Sequence, residues 1–119
     1  MKSRKGQKKE LDIMWAKIIK ERAHNRCEKC GRSGRMESHH IFCRRSHSTR
    51  WDLDNGICLC TSCHKFGLDS AHRDPKFKDW VVEHIGEDKF DLLRLNYYET
   101  WDKDIDSVKT KLEIELAKY

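Results

Sequence analysis

Between residues 9 and 24 the apolar side chains fall at Leu11, Met14, Trp15, Ile18 and Ile19, the spacing that lines one face of a helix. The same rhythm returns late in the chain. Asp74-Pro75 offers a cap followed by proline at a first helical position. Phe77, Trp80, Val81 and Ile85 follow as an inward face, and Gly86 ends the run. A second late helix is predicted over 87–96 with Phe90, Leu92, Leu93 and Leu95. A third runs from Asp104 with Ile105, Val108, Leu112 and Leu116 on one face. Residues 27–64 break the rhythm. Two short strands are predicted there, over 36–41 and 56–59, with Asn55-Gly56 as a turn signal before the second. Thr61 or Ser62 would cap a short helix bearing Cys63, His64 and Phe66.

This pattern predicts an α+β protein: a small strand-strand-helix unit packed by N- and C-terminal helices. With 119 residues, 37% of them hydrophobic, the core is limited, and small cores of this kind often need a covalent or metal staple. Six cysteines supply the means. No signal-peptide core and no membrane-spanning run is visible. The expected compartment is therefore a reducing cytoplasm, where disulfides do not persist and metal ligation is the better use of thiols.

Cys27-x-x-Cys30 and Cys60-x-x-Cys63 form two matched pairs. Each can fold as a knuckle aiming two thiolates at one cation, and two knuckles complete a tetrahedral S4 site suited to structural Zn2+. The 29 residues between the pairs exceed the usual ribbon spacing, which a strand-loop-strand insert explains. A Cys3His set recruiting His64 is the alternative. Cys58 reads as a small buried apolar residue, and Cys43 has no assigned role.

Charge separates the halves. Residues 1–50 hold 15 Lys and Arg against 5 Asp and Glu, while residues 51–119 hold 10 against 15. A positive half suits a polyanion, nucleic acid first. The chain divides into a basic flexible arm over 1–9, including Lys2, Arg4, Lys5, Lys8 and Lys9, and one domain over 10–119. The motif core of that domain covers 27–64, and its helical part covers 74–119.

His39 and His40 are adjacent, which on a strand sends their side chains to opposite faces. At a strand end the backbone can turn both toward one site. Asn55 and His64 complete the pattern His40-x14-Asn55-x8-His64. That pattern, with Cys-x-x-Cys before it, "HHI" at 39–41, and "DNGICLC" running into Leu-Cys-x-x-Cys-His, resembles the HNH endonuclease family, phage-type members included. The resemblance covers residues 27–64. It implies a ββα-metal finger and a metal-dependent hydrolase that cuts DNA. It also implies His40 as general base, His39 and His64 as ligands of a catalytic divalent ion such as Mg2+ or Mn2+, and Asn55 as the brace that orients His40. His72 is a candidate third ligand.

The chemistry agrees with this allocation. Phosphodiester hydrolysis needs an activated water and help for the departing 3′ oxygen. A neutral histidine can take the water's proton, and an ion with open positions can act on the phosphate oxygens. Arg44, Arg45 and Arg50 lie between the strands, where they could clamp phosphates. Trp51 reads as a core anchor, His47 as solvated or touching substrate, and His24 and His84 as structural or exposed. The expected function is a DNA-nicking endonuclease leaving 5′-phosphate and 3′-hydroxyl ends. The alternative is a non-catalytic, zinc-stapled DNA-binding or packaging-partner module. The expected partner is DNA, without a membrane. One finger holds one centre, so a monomer suffices for a nick.

Overall fold

The computed structural model describes residues 3–66, 71 and 74–119. It is an α+β arrangement built on one antiparallel hairpin. Helix α1 (Arg4–Arg22) leads into strand β1 (Met36–His40). A loop carrying the short helix α2 (His47–Arg50) and a 3-10 turn (Leu53–Asn55) returns the chain to strand β2 (Gly56–Cys60). A π-helical turn (Ser62–Phe66) follows, then α3 (Phe77–Ile85), α4 (Glu87–Tyr97) and α5 (Ile105–Leu116). Among the described residues, no helix is long and apolar enough to cross a membrane.

The register pairs Met36 with Cys60, Ser38 with Cys58 and His40 with Gly56. Strand alternation then gives the hairpin two faces. Met36, Ser38 and His40 look toward α1, where the Ser38 hydroxyl donates to the Ala16 carbonyl at 2.7 Å. Glu37 and His39 look the other way, and the His39 ring meets Phe77 of α3 edge-on at 5.6 Å. Leu11, Trp15, Ile18 and Ile19 of α1 are buried with Ile57, Cys58 and Leu59 of β2, so the helical face expected over 9–24 forms the floor of the hairpin.

Gly56 is where α1 comes closest. A Cβ there would clash with the Ile19 side chain and lie 2.7 Å from Trp15 Cζ2. The α1 C-terminus is fastened to the same place: Arg22 donates to the carbonyls of Leu53 and Gly56, both at 2.9 Å. Asn55-Gly56 therefore does more than turn the chain, because the glycine leaves the notch into which α1 packs.

Three boundaries differ from the sequence expectation. Residues 4–9 are not an arm but the first turns of α1, whose end is capped by Ser3 accepting from the Gly6 amide at 3.1 Å. The long straight-chain Arg, Lys and Gln side chains there are good helix formers, and the Lys109–Glu10 ion pair at 3.1 Å helps fasten the helix to α5. The turn carrying Cys63 and His64 is π-helical, and the Cys63 amide points at Cys60 Sγ at 3.4 Å. Helix α3 starts at Phe77, because Asp74 accepts from the Lys76 amide at 2.9 Å and forms a separate turn. On α4, Phe90 and Leu93 are buried while Leu92 and Leu95 face out.

The notch predicts a measurable cost. Gly56→Ala should destabilise the fold by about 1–3 kcal/mol, the usual cost of overpacking a filled core. Urea denaturation should show this as a lower midpoint at unchanged slope.

Candidate metal centre and histidine site

The four paired cysteines converge. The sulfurs of Cys27, Cys30, Cys60 and Cys63 all lie within 4.8 Å of one another, and Cys30 Sγ is 3.7 Å from Cys60 Sγ. Tetrahedral ligation at a metal–sulfur distance of about 2.3 Å places sulfurs about 3.8 Å apart, so the set fits a closed zinc site. Both pairs are knuckled alike: the Cys30 amide points at Cys27 Sγ at 3.5 Å, as the Cys63 amide does at Cys60 Sγ. Burial pushes the Cys27 thiol up, but amide hydrogen bonds from Cys30, Cys60 and Lys29 outweigh it and bring it down to about 7. Gly31, at φ +77°, takes the left-handed turn that closes the first knuckle. The four sulfurs complete the set without His64, which disposes of the Cys3His alternative.

Glu28, inside the first knuckle, ties this centre to the rest. Its amide donates to the Cys58 carbonyl at 2.9 Å, and its carboxylate accepts from the Cys58 amide at 2.6 Å and pairs with His84 of α3 at 2.8 Å. Cys58 itself is fully buried, and that burial pushes its thiol up to about 11. It behaves as the small apolar residue expected. Cys43 is exposed.

At the other end of the hairpin, β1 separates its two histidines as alternation requires. The His39 ring meets the His64 ring edge-on, with centroids 5.0 Å apart. Glu37, two residues before His39 and on the same face, pairs with His64 Nδ1 at 3.1 Å and with Lys65 at 3.2 Å. Burial would raise the Glu37 carboxyl, but these two partners hold it below its ordinary value. A carboxylate behind an imidazole is the usual outer support of a metal-binding histidine. Glu37 was not singled out by the sequence. The period-2 placement beside His39 was the available signal.

The His40 ring lies on the opposite face, stacked on Trp15 at 3.9 Å with an interplanar angle of 9°. Its Nε2 is 2.9 Å from the Arg50 carbonyl. A carbonyl only accepts, so Nε2 carries the proton and Nδ1 is the basic nitrogen. Burial lowers the His40 pKa, and the nearby Arg44 and Arg50 charges act in the same direction. The Arg50 carbonyl and the Asp12 carboxylate offset part of this. The structure thus brings His39 and His64 together and holds His40 separately, against α1.

Asn55 is fully buried and closes the loop between them. Its Oδ1 accepts from the Phe42 amide at 2.8 Å, and its Nδ2 donates to the carbonyls of Phe42 and Thr49 at 3.1 and 3.0 Å. It braces the loop by fixing the backbone at Thr49, one residue before the carbonyl that holds His40. Of the loop arginines, Arg44 is mostly exposed, lying 4.0 Å from Asp12, and Arg45 is exposed. Arg50 is already engaged within the protein. It grips Asp12 of α1 with Nε and a terminal nitrogen at 2.9 and 2.6 Å and lies over Trp51. Trp51 is buried and donates to the same carboxylate at 2.9 Å. His72 lies outside the described residues.

No family model, curated protein or solved structure matches the chain. The family resemblance therefore rests on the spacing within residues 27–64.

Two outcomes follow. Purified without chelator, the protein should hold one zinc per chain, and Cys60→Ser should lose both the metal and most of the folded structure, because binding and folding are linked; elemental analysis with circular dichroism reads both. Asp12→Ala should release the 50–51 backbone, and nitrogen-15 NMR should then show the His40 ring moving from a single Nε2–H tautomer toward a mixture.

Proposed function

We propose that the chain is a metal-dependent DNA endonuclease that nicks phosphodiester bonds, with residues 36–64 acting as a ββα-metal finger. The observation that carries this reading is the hydrogen bond from His40 Nε2 to the Arg50 carbonyl at 2.9 Å. It leaves Nδ1 as the acceptor on a ring that burial keeps neutral, which is what a general base requires.

In this reading His40 Nδ1 takes the proton of a water attacking phosphorus, and the bond to the 3′ oxygen breaks. His39 and His64 would hold a divalent cation, His64 through Nε2 because Glu37 occupies Nδ1. Such an ion, when bound, supplies Lewis-acid stabilisation to the phosphate and the departing oxygen. Asn55 holds the loop, and Arg50 acts through its carbonyl. Arg44, Arg45 and the basic N-terminal half of α1 are the surface proposed to meet the DNA backbone. The four-cysteine zinc does no chemistry here, since a closed site offers no position to substrate.

One observation favours a second reading. The rings of His39 and His40 lie on opposite faces of β1, and His40 packs on Trp15. A zinc-stapled DNA-binding or packaging-partner module that no longer cuts would tolerate that separation. Plasmid nicking with Mg2+ or Mn2+ decides between the two.

For the endonuclease, His40→Ala should keep zinc and DNA binding while losing on the order of 10²–10⁴ in cleavage rate. Products should carry 5′-phosphate and 3′-hydroxyl ends, read by end-labelling. Because the His40 pKa is lowered by burial, the acidic limb of the pH–rate profile should fall below the ordinary histidine value of about 6.5, with the rate rising through it and flat at neutral pH. A limb well above that value would remove His40 as the base.

A further inference from the structure

We propose that the cavity between α2 and α5 is a pocket for an unstacked nucleobase, so that the preferred substrate is DNA carrying an unpaired nucleotide. This rests on the nucleic-acid reading above and adds a substrate class to it.

The cavity measures about 370 Å³, within the range of about 300–1,000 Å³ typical of small-ligand pockets. Its walls include His47, Trp51, Asp52, Trp101, Lys103 and Lys111. Three of these are aromatic and in mutual contact. His47 stacks along Trp51 with centroids 5.5 Å apart, and Trp101 lies 5.1 Å from His47 and 5.8 Å from Trp51. Trp51 is the buried floor, its N–H spent on Asp12. Trp101 is partly exposed and offers a ring to a base. Stacking of this kind accepts any base, because every base has a π face.

The charged groups suit the rest of a nucleotide. Lys103 and Lys111 share the cavity wall, and their charges act on Asp52. Arg4 and Lys8 lie near enough for their charges to act on His47. Cations thus stand on the pocket wall and close to its His47, as a phosphate backbone passing the pocket would need. Asp52 supplies an acceptor of the type that reads the exocyclic amino groups of bases. Asp54, the other acid of the wall, lies 3.7 Å from Lys89.

Position links the pocket to His40. Trp51 and Asp52 directly follow Arg50, whose carbonyl holds the His40 ring. Trp15, stacked on that ring, donates its N–H to the Asp52 carbonyl at 2.9 Å. A nucleotide seated in the pocket would therefore neighbour the phosphate presented to His40. Intact duplex reaches such a seat only by unstacking a base, which an unpaired nucleotide does at least cost.

The test is equilibrium binding of the zinc-loaded full chain, without added divalent ion, to a blunt duplex, the same duplex with one unpaired nucleotide, and the single strand. The two substrates with unpaired bases should bind about tenfold tighter than the blunt duplex. Trp101→Ala should erase that difference with blunt-duplex affinity unchanged, and Trp101→Phe should restore most of it. Equal affinity for all three DNAs in the unmodified protein would overturn the proposal, as would a preference that survives Trp101→Ala. Should Trp101→Ala not fold, Lys103→Ala at the exposed rim serves instead: it should lower the salt slope of single-strand binding by about 0.7, and an unchanged slope would overturn the pocket. The two readings fail separately. A Trp101-dependent preference with no cleavage on adding Mg2+ or Mn2+ removes the endonuclease and leaves the pocket. Equal cleavage of blunt and unpaired DNA by both proteins removes the pocket and leaves the endonuclease.

Discussion

A single buried amide holds together the loop on which the histidine site depends. Asn55 has no solvent exposure and uses both ends of its side chain: one oxygen accepts from the backbone at Phe42, and one nitrogen donates to the backbone at Phe42 and Thr49. Its own carbonyl accepts from the Ile41 amide at 2.9 Å. The loop over 42–49 is thus pinned at both ends from one position at the foot of β2. Removing the amide would strand those buried backbone groups, at roughly 1–3 kcal/mol each. It would also free the backbone next to Arg50, the residue whose carbonyl sets the His40 tautomer.

Helix α1 is the second support, and it lies outside the motif that spacing picks out. Its Trp15 is the surface on which His40 lies flat, and its Asp12 receives Arg50 and Trp51 together. Burial works against an ionised Asp12, yet the Arg50 and Trp51 hydrogen bonds outweigh it and hold the carboxyl below its ordinary value. The charge therefore persists where it is needed. An imidazole stacked on one face and hydrogen-bonded at Nε2 loses rotamer freedom before any substrate arrives, which is the kind of preorganisation a proton acceptor benefits from.

How much of this was legible depended on whether the determinant was local. The two Cys-x-x-Cys pairs were readable because a knuckle is made within four residues, and the paired spacing announces its partner. Leu11, Trp15, Ile18 and Ile19 were readable as one helical face because burial follows period. The role of Asp12 was not, since nothing in its neighbourhood indicates that a residue 38 positions away will fork onto it. The pairing of Arg50 was not legible for the same reason: an arginine in a basic loop looks like a phosphate ligand until its long-range carboxylate is known. Residues 4–9 were misread because net charge was weighed above helix propensity, and the Ser3 cap decides the matter locally.

The two ends of the hairpin divide the work, and the strand register joins them. The sulfurs gather at the Met36–Cys60 pair and His40 sits at the His40–Gly56 pair, four residues apart along β1, or about 14 Å at strand rise. Because side chains alternate, a slip of one residue would send His39 toward α1 and His40 toward His64, exchanging their environments. Five residues of ladder resist such a slip weakly. What opposes it is a clamp at each end: the four-cysteine cluster fixes Cys60 against the first knuckle, and the Gly56 notch admits Trp15 and Ile19 only where no side chain intrudes. The four-cysteine cluster can therefore govern His39 and His40 at the far end of the sheet without touching them, by deciding which of the two faces which way.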